Sequence, residues 1–480
     1  MSIAISAIAI DSVRVTGTLQ TDAAAGGHSA WSTVMTSQSA ATPCDDNERV
    51  LAPVADGAQL AVNRAMMRSI APLLAGLALL MVASALQFAL LAVRADSEGF
   101  ADWVIAVMSA CYFGGFLVGG RLAPRWIGSV GHVRTFAAMA SLASVAILVQ
   151  AFSVEPATWL ISRAWSGICI AAMVTSVEAW LSGSSEPNRR GSTLAIYMVV
   201  MHVAFSAGQL LVGAADPGGF ALFAVVSILL SLSLVPVLLG GADSQLIHLR
   251  SGLSVAALAR RAPVGVAASF SGGLAWGVIA SMLITLGLRE GFDAGQAASI
   301  GMAGTAGAIL SQLPVGRLSD AVDRRLVILG TAVLTSVVGL VGMGLVTSGR
   351  LWVLWLLAAA IGAASLPSYS LAIAQVGDVL APDETVAAAG TLVTVSSLGS
   401  AAGPLVAMTA IAVIGSPGVP FVFAISGGSL AGFAAWQLHK SAMIEPHGHY
   451  VPLGARTTPV GTAVLADEIV GESEAITTDA

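Results

Sequence analysis

The stretch Gly316-Arg317-Leu318-Ser319-Asp320-Ala321-Val322-Asp323-Arg324-Arg325 joins two long apolar runs, residues 295–315 and 326–346. It concentrates three arginines and two aspartates in a chain that has few charged residues elsewhere. A shorter version, Gly120-Arg121-Leu122-Ala123, follows an earlier apolar run, close to half the chain length upstream. A loop that recurs after corresponding runs indicates an internally duplicated protein.

The composition restricts the class of protein that surrounds this loop. Charged residues make up only 10% of the 480 residues, hydrophobic residues make up 56%, and the mean hydropathy is +0.85. Soluble domains carry about 25% charged residues, so a water-soluble enzyme is excluded. The formal net charge of −6 argues against a nucleic-acid binder, which needs a basic face. Three cysteines in so long a chain exclude a disulfide scaffold. A multi-pass membrane protein remains.

Apolar runs of spanning length recur along the middle of the chain. A helix that crosses the hydrocarbon core needs about 20 mainly apolar residues. Such runs are residues 70–93, 102–122, 133–152, 157–181, 191–213, 218–239, 263–288, 295–315, 326–346, 351–379, 385–414 and 419–438. No run alternates like a strand of a membrane barrel. The predicted fold class is therefore an all-α membrane protein with twelve transmembrane helices in two six-helix repeats.

Composition also predicts the division of the chain into domains. The polar ends, residues 1–68 and 441–480, are predicted to be disordered tails, because such segments bury too little apolar surface to order themselves. Residues 69–240 and 263–440 are predicted to form the two six-helix bundles. Residues 241–262, which contain Arg250, Arg260 and Arg261, are predicted to be the cytoplasmic linker between them.

The distribution of arginine predicts the orientation in the membrane. Loops on the cytoplasmic side of a bilayer carry an excess of Lys and Arg, whereas acidic residues contribute little. One set of loops contains Arg121, Arg125, Arg134, Arg189, Arg190, Arg250, Arg260, Arg261, Arg317, Arg324 and Arg325. The opposite set contains only Arg94, Arg289 and Arg350. We therefore expect a plasma (inner) membrane protein with both termini in the cytoplasm. The acidic loop from Asp378 to Glu384 lies on the arginine-rich side and does not support this orientation.

The repeated loop resembles the motif G-x-L-a-D-R-x-G-R-R that follows the second span of transporters of the major facilitator superfamily (MFS). The second copy keeps Gly316, Asp320, Arg324 and Arg325. The first copy, Gly120-Arg121-Leu122-Ala123-Pro124-Arg125, has a proline in place of the acid. The resemblance extends over nearly all of residues 66–440. It implies that these loop residues gate the cytoplasmic side, with Asp320 and an arginine forming a charge-assisted latch.

Further motifs refine the resemblance. Arg163 and Gly167 match the R-x-x-x-G pattern of the superfamily's fourth span. A series that is similar to the YcaD-like branch follows: Glu178-Ala179-Trp180-Leu181, Arg190-Gly191, Tyr197-Met198 and Gly208-Gln209-Leu210-Leu211. Span five lacks the Gly-Pro pair of drug/proton antiporters, because Gly208 is followed by Gln209.

Few polar residues lie at membrane depth, and each is a candidate for transport or coupling. Arg163 can bind an anionic group, or alternatively serve as a structural donor or extend toward the outer interface. Glu178 is a candidate proton acceptor, or an interface residue that pairs with Arg189, Arg190 or another loop arginine. His202, about 16 Å into span five, is a candidate for proton coupling or for a hydrogen bond between helices. Gln209 lies two helical turns further along, on roughly the same face.

A second group comprises candidate cavity residues, which are Gln87, Tyr112, Trp276, Tyr369 and Gln375. The resemblance implies a central cavity lined mainly by spans one, four, seven and ten. Gln87, Trp276 and Tyr369 fall on those spans. The alternative for the aromatic residues is packing or anchoring at the membrane interface.

The leading functional hypothesis is a secondary active transporter that moves a small solute by alternating access. We expect proton coupling, and by analogy with the superfamily efflux rather than uptake. One alternative is a transporter-derived membrane sensor or scaffold without flux. The other is an intramembrane enzyme, for which the sequence lacks the clustered catalytic residues. No P-loop, cofactor motif or metal-ligand cluster is found. The expected partners are the lipid bilayer, a small-molecule substrate and protons, with no nucleic acid, and we expect a monomer.

Overall fold

The structure is a computed structural model, which describes residues 46–184, 190–239, 253–440 and 457–458. Helices make up nearly all of this part. The first group comprises α1 Asp46–Ser97, α2 Asp102–Val130, α3 His132–Phe152, α4 Pro156–Ser184, α5 Arg190–Leu210, α6 Ala221–Leu232 and α7 Leu234–Leu239. The second comprises α8 Val255–Arg261, α9 Pro263–Arg289, α10 Ala294–Ala321, α11 Arg324–Leu345, α12 Leu351–Ser365, α13 Pro367–Gly377, α14 Pro382–Ile414 and α15 Gly418–Lys440.

The helices have the length and composition of membrane spans. In the described part, 11 helical segments are long and apolar enough to cross a membrane, with α6–α7 and α12–α13 each counted as one segment. The remaining predicted span is α10, a helix of 28 residues whose Gly, Ser and Gln content lowers its hydropathy. Large apolar side chains such as Phe152, Leu310 and Val413 are exposed on the outside of the helices, as expected for a surface that faces lipid. The all-α, multi-pass membrane fold is thereby confirmed.

The two predicted tails differ from the structure where it describes them. Residues 46–68 belong to α1, because Ala and Arg are frequent there and favour helix over coil. Thr457 and Thr458 are buried rather than disordered. Within the predicted linker, Val255–Arg261 forms the short helix α8. Residues 1–45, 240–252, 441–456 and 459–480 lie outside the described residues, so the remaining tail and linker predictions are not tested.

Within each repeat, small residues bring the second and fourth spans into close contact. A methyl carbon added at Gly115 of α2 would overlap the carbonyl oxygen of Ala164 in α4. In the C-terminal repeat, a methyl carbon at Gly307 of α10 would overlap the carbonyl oxygen of Ala359 in α12. Helices in membranes associate through such close backbone approach, since lipid provides no hydrophobic drive between them. The duplicated packing is the structural counterpart of the repeated loop.

We expect Gly115→Val to destabilise the protein by at least about 1–3 kcal/mol, because the added side chain forces α2 and α4 apart. Thermal unfolding in detergent, followed by size-exclusion chromatography, measures the loss. Gly114→Val is the matched control, since a methyl carbon at Gly114 has no atom within 4 Å among its neighbours. Equal unfolding temperatures for the two variants would contradict the proposed packing.

The bundle has a basic end and an opposite end. We define the basic end as the end of the bundle at which α2, α4 and α10 end and α11 and α14 begin. The arginines at these helix ends belong to it. There, Arg261 forms an ion pair with Glu384 at 2.6 Å. At the opposite end, Arg289 pairs with Asp102, which joins the end of α9 to the start of α2. The N-terminal helices α2 and α5 pack against the C-terminal helices α14 and α10, respectively.

Candidate functional site

A buried arginine contacts two aromatic rings in the N-terminal repeat, and these rings also pack edge to face against each other with their centroids 4.7 Å apart. Arg163 of α4 is only 2% exposed. The central carbon of its guanidinium group is 4.3 Å from the ring centroid of Phe88 in α1 and 4.4 Å from that of Tyr112 in α2. Aromatic faces attract cations, so the two rings stabilise the guanidinium group in this buried position. The predicted residue Tyr112 is thus placed beside Arg163.

Amide and hydroxyl groups are hydrogen-bonded to one another on α3 and on the helices that carry Phe88 and Arg163. The side-chain amide of Gln87 donates hydrogen bonds to Oε1 of Gln150 at 3.4 Å and to Oγ of Ser166 at 3.3 Å. All three residues are at most 2% exposed. We call the Arg163 cluster the residues Gln87, Phe88, Tyr112, Gln150, Arg163 and Ser166. Gln150 and Ser166 were not predicted, although Gln150 is recognisable in the sequence as an amide inside an apolar run.

Aromatic contacts connect the Arg163 cluster to the C-terminal repeat. The ring of Phe88 lies 6.3 Å from that of Phe205 in α5, measured between centroids. Phe205 in turn lies 5.3 Å from Trp276 in α9. Trp276, predicted from its position on the seventh span, is therefore linked to the cluster through Phe205, which sequence reasoning missed because one phenylalanine in an apolar run carries no signal.

His202 and Gln209 occupy different environments on α5. His202 is half-buried, and its Nδ1 lies 2.8 Å from the carbonyl oxygen of Met198 in the same helix. Gln209 is 0% exposed and, within the described residues, neither of its amide atoms has a hydrogen-bond partner. The Gln209 amide faces Gly301 of α10, where an added methyl carbon would lie 3.1 Å from its nitrogen. It therefore lies at the contact between the two repeats.

Tyr369 and Gln375 pack against α9. Both belong to α13 and are buried. A methyl carbon at Gly272 would lie 2.9 Å from the backbone nitrogen of Tyr369, and one at Gly265 would lie 2.6 Å from Oε1 of Gln375. The position of Tyr369 therefore fits the alternative prediction, in which the aromatic residues serve helix packing. The predicted cavity role of Tyr369 and Gln375 is not tested.

Glu178 forms a second buried polar site near the basic end. It is 1% exposed. The Tyr197 hydroxyl of α5 donates to its Oε1 at 2.7 Å. The backbone N–H of Thr458 donates to its two carboxylate oxygens at 3.0 and 3.2 Å, and the Thr458 hydroxyl donates to Oε2 as well. The side chains of Arg189 and Arg190 lie outside the described residues, so the predicted pairing with them is not tested.

In the second copy of the loop motif, Arg324 pairs with a second aspartate besides the predicted Asp320. Arg324 is 1% exposed and pairs with Asp378, which is 5% exposed, and it also donates to the carbonyl oxygen of Ala374 at 3.1 Å. Its distance to Asp320 is 3.4 Å, and that carboxylate is 32% exposed. Asp378 is therefore the stronger partner, because it lies across the bundle end in a drier position. The sequence placed Asp378 in an acidic loop without a role.

The remaining motif residues lie at the same end. Arg325 pairs with Asp323 at 2.7 Å. Gly316 and Gly120 are buried, whereas Arg121 and Arg125 are exposed. Arg121 donates to the hydroxyl oxygen of Thr394 in α14 at 2.8 Å. The first copy, although it lacks the acid, therefore contacts the C-terminal repeat.

Comparisons with known proteins agree with this architecture. The Major Facilitator Superfamily model matches residues 265–462. The uncharacterized MFS-type transporter YcaD of Escherichia coli O139:H28 (strain E24377A / ETEC) is 30% identical over 271 residues, 54% of this chain and 69% of YcaD. An uncharacterized MFS-type transporter of Yersinia pseudotuberculosis serotype O:3 (strain YPIII) is 28% identical over 338 residues, 69% of this chain and 86% of that protein.

A solved structure shows the same fold at lower sequence identity. The crystal structure of the nucleoside transporter NupG superposes with a TM-score of 0.59 and 12% identity. It covers 78% of this chain and 100% of NupG. At this identity the likeness concerns the fold alone.

Proposed function

This chain belongs to the major facilitator superfamily, and from that premise we propose that it is a secondary active transporter of a small organic anion. The transporter works by alternating access and exchanges the anion for protons. Export is the proposed direction, by analogy with the superfamily. The proposed orientation places the basic end and both termini in the cytoplasm, because the arginines are concentrated there.

The observation that carries this proposal is the environment of Arg163. Its charge is permanent, and its N–H groups form a planar fork that matches a carboxylate or phosphate. Phe88 and Tyr112 cover the guanidinium group. Gln87 donates to Ser166, which lies one helical turn after Arg163 in α4. A cation buried in a span is costly, and a solute anion that binds in the plane of the fork would offset this cost. The aromatic neighbours favour a solute with an apolar part.

Purified protein in liposomes tests the solute class. A panel of radiolabelled aromatic carboxylates, aliphatic dicarboxylates, organic phosphates and matched organic cations is offered under an imposed pH gradient. We expect protein-dependent flux of at least one organic anion and of no cation. Flux restricted to cations would reject the anion proposal, and no flux of any kind would reject transport.

Proton coupling is proposed for Glu178. It is a buried carboxyl group in a span, and such residues mark proton relays. The Tyr197 hydroxyl fixes its orientation, and its position near the basic end offers a path for protons to that side.

We expect Glu178→Gln to abolish flux driven by a pH gradient, because glutamine cannot bind and release a proton. Exchange of solute for solute at equal pH should persist, since that mode moves no net proton. Uptake by proteoliposomes with and without the gradient separates the two modes.

The matched control is Glu155→Gln, at an exposed glutamate between α3 and α4. It should leave both modes unchanged. Normal gradient-driven flux in the Glu178→Gln variant would exclude Glu178 as the proton carrier.

A further inference from the structure

Two residues that follow the last span are fully buried. Thr457 and Thr458 are both 0% exposed, although α15 ends at Lys440. Thr458 donates its backbone N–H and its hydroxyl to the carboxylate of Glu178. The connecting residues, 441–456, lie outside the described part, but a chain of that length can span up to about 50 Å. The reach of the chain therefore permits the contact.

The Glu178 site is suited to a ligand with two neighbouring donors. An ionised carboxylate only accepts hydrogen bonds and offers about four acceptor positions. Tyr197 uses one of them at 2.7 Å. A backbone N–H and a hydroxyl group on one residue supply two further donors, and hydrogen bonds to a charged acceptor are about twice as strong as neutral ones. A serine or threonine within a peptide presents this pair of donors.

We propose that Glu178 and Tyr197 form a binding site for the chain's own C-terminal segment, in which docked Thr457 and Thr458 cover the carboxylate. While the segment is docked, Glu178 is shielded from solution on the basic side. Docking itself does not depend on transport. Its consequence, that the segment must leave before Glu178 exchanges a proton, rests on the proposed function.

Three substitutions at Thr458 remove none, one or both of its hydrogen-bond donors and leave the membrane spans unaltered. Thr458→Ser keeps both donors, Thr458→Val removes the hydroxyl donor, and Thr458→Pro removes the hydroxyl and the backbone N–H. We therefore expect the segment to be released least in Thr458→Ser, more in Thr458→Val and most in Thr458→Pro. A segment buried for unrelated reasons would not follow this order.

Thiol labelling measures docking directly in the full-length chain. Thr457→Cys is introduced after Cys44, Cys111 and Cys169 are replaced by alanine, and its reaction with a water-soluble maleimide is timed in liposomes. Ser129→Cys, at an exposed position at the end of α2, is the reference. We expect Thr457→Cys to react at least about tenfold more slowly than the reference, and Thr458→Pro or Glu178→Ala to raise its rate about tenfold. Equal rates for the two introduced thiols in the otherwise unchanged chain would overturn the proposal.

Modification of Glu178 provides the second measurement. A water-soluble carbodiimide with a labelled amine converts accessible carboxyl groups to amides, and mass spectrometry quantifies the product at Glu178. We expect about tenfold more product in Thr458→Pro than in the unchanged chain, with Thr458→Ser close to the unchanged chain. Equal product in all three would overturn the shielding of Glu178. Because neither measurement needs a solute, protection of Glu178 and of the thiol in Thr457→Cys without any flux would reject the proposed function and leave docking supported.

Discussion

Replacement of Arg163 by alanine is expected to lower transport by at least about 100-fold. A planar fork that donates two charge-assisted hydrogen bonds contributes about 3 kcal/mol, and each 1.4 kcal/mol corresponds to a tenfold change. Alanine removes both donors and leaves Phe88 and Tyr112 without the cation that contacts both rings. The initial rate of anion flux in proteoliposomes, normalised to inserted protein, measures the effect.

Two further variants separate binding from charge and from folding. Arg163→Lys keeps the charge and loses the fork, so its flux should lie between those of the unchanged chain and the alanine variant. Arg134→Ala removes an exposed arginine at the start of α3 and should leave flux unchanged. Normal flux in the Arg163→Ala variant would show that the arginine is structural and would remove the main support for an anionic solute.

Replacement of Arg324 by alanine is expected to destabilise the protein by about 3–5 kcal/mol. The reason is that removal of one member of a buried ion pair leaves the other charge uncompensated. That charge is Asp378, which is only 5% exposed, and the carbonyl oxygen of Ala374 also loses its donor. Thermal unfolding in detergent and the yield of monodisperse protein measure the loss.

The matched comparison is Asp320→Ala, which removes the more exposed partner of the same arginine. Its effect should be about 0–1 kcal/mol, because solvent screens the 32%-exposed carboxylate. The double variant Arg324→Leu with Asp378→Leu should recover much of the stability, since it leaves no buried unpaired charge. An Arg324→Ala variant as stable as Asp320→Ala would contradict the dominant role of Asp378.

Much of the architecture could be predicted from the sequence because bilayer thickness is a local constraint. A run of about 20 apolar residues has to form a spanning helix, and each predicted run corresponds to one helix or to two consecutive helices of the structure. The repeated glycine-arginine loop indicated the duplication. Arg163 and Glu178 were predicted because an ionisable residue is conspicuous in an apolar run. Recognising such a residue requires no knowledge of its contacts.

Side-chain partners could not be predicted, because they depend on how distant helices meet. Phe88, Gln150 and Phe205 lie on different helices, and the sequence does not show what they contact. Phe88 contacts Arg163, Gln150 accepts a hydrogen bond from Gln87, and Phe205 connects Phe88 to Trp276. In the sequence, nothing shows whether Asp378 or Asp320 is the buried partner of Arg324. Only burial distinguishes them, since Asp378 is the carboxylate removed from solvent beside Arg324.

The sequence by itself therefore determined the membrane class, the helical spans, the duplication and the short set of ionisable positions, since composition and periodicity act along the chain. The tertiary structure decided which of these positions have partners and which partners they have. It placed Arg163 against two aromatic rings, paired Arg324 with Asp378, and brought Thr458 to Glu178 from far along the chain. Such contacts arise only when packing brings distant segments together in a dry environment, where a single hydrogen bond or charge carries a large free energy.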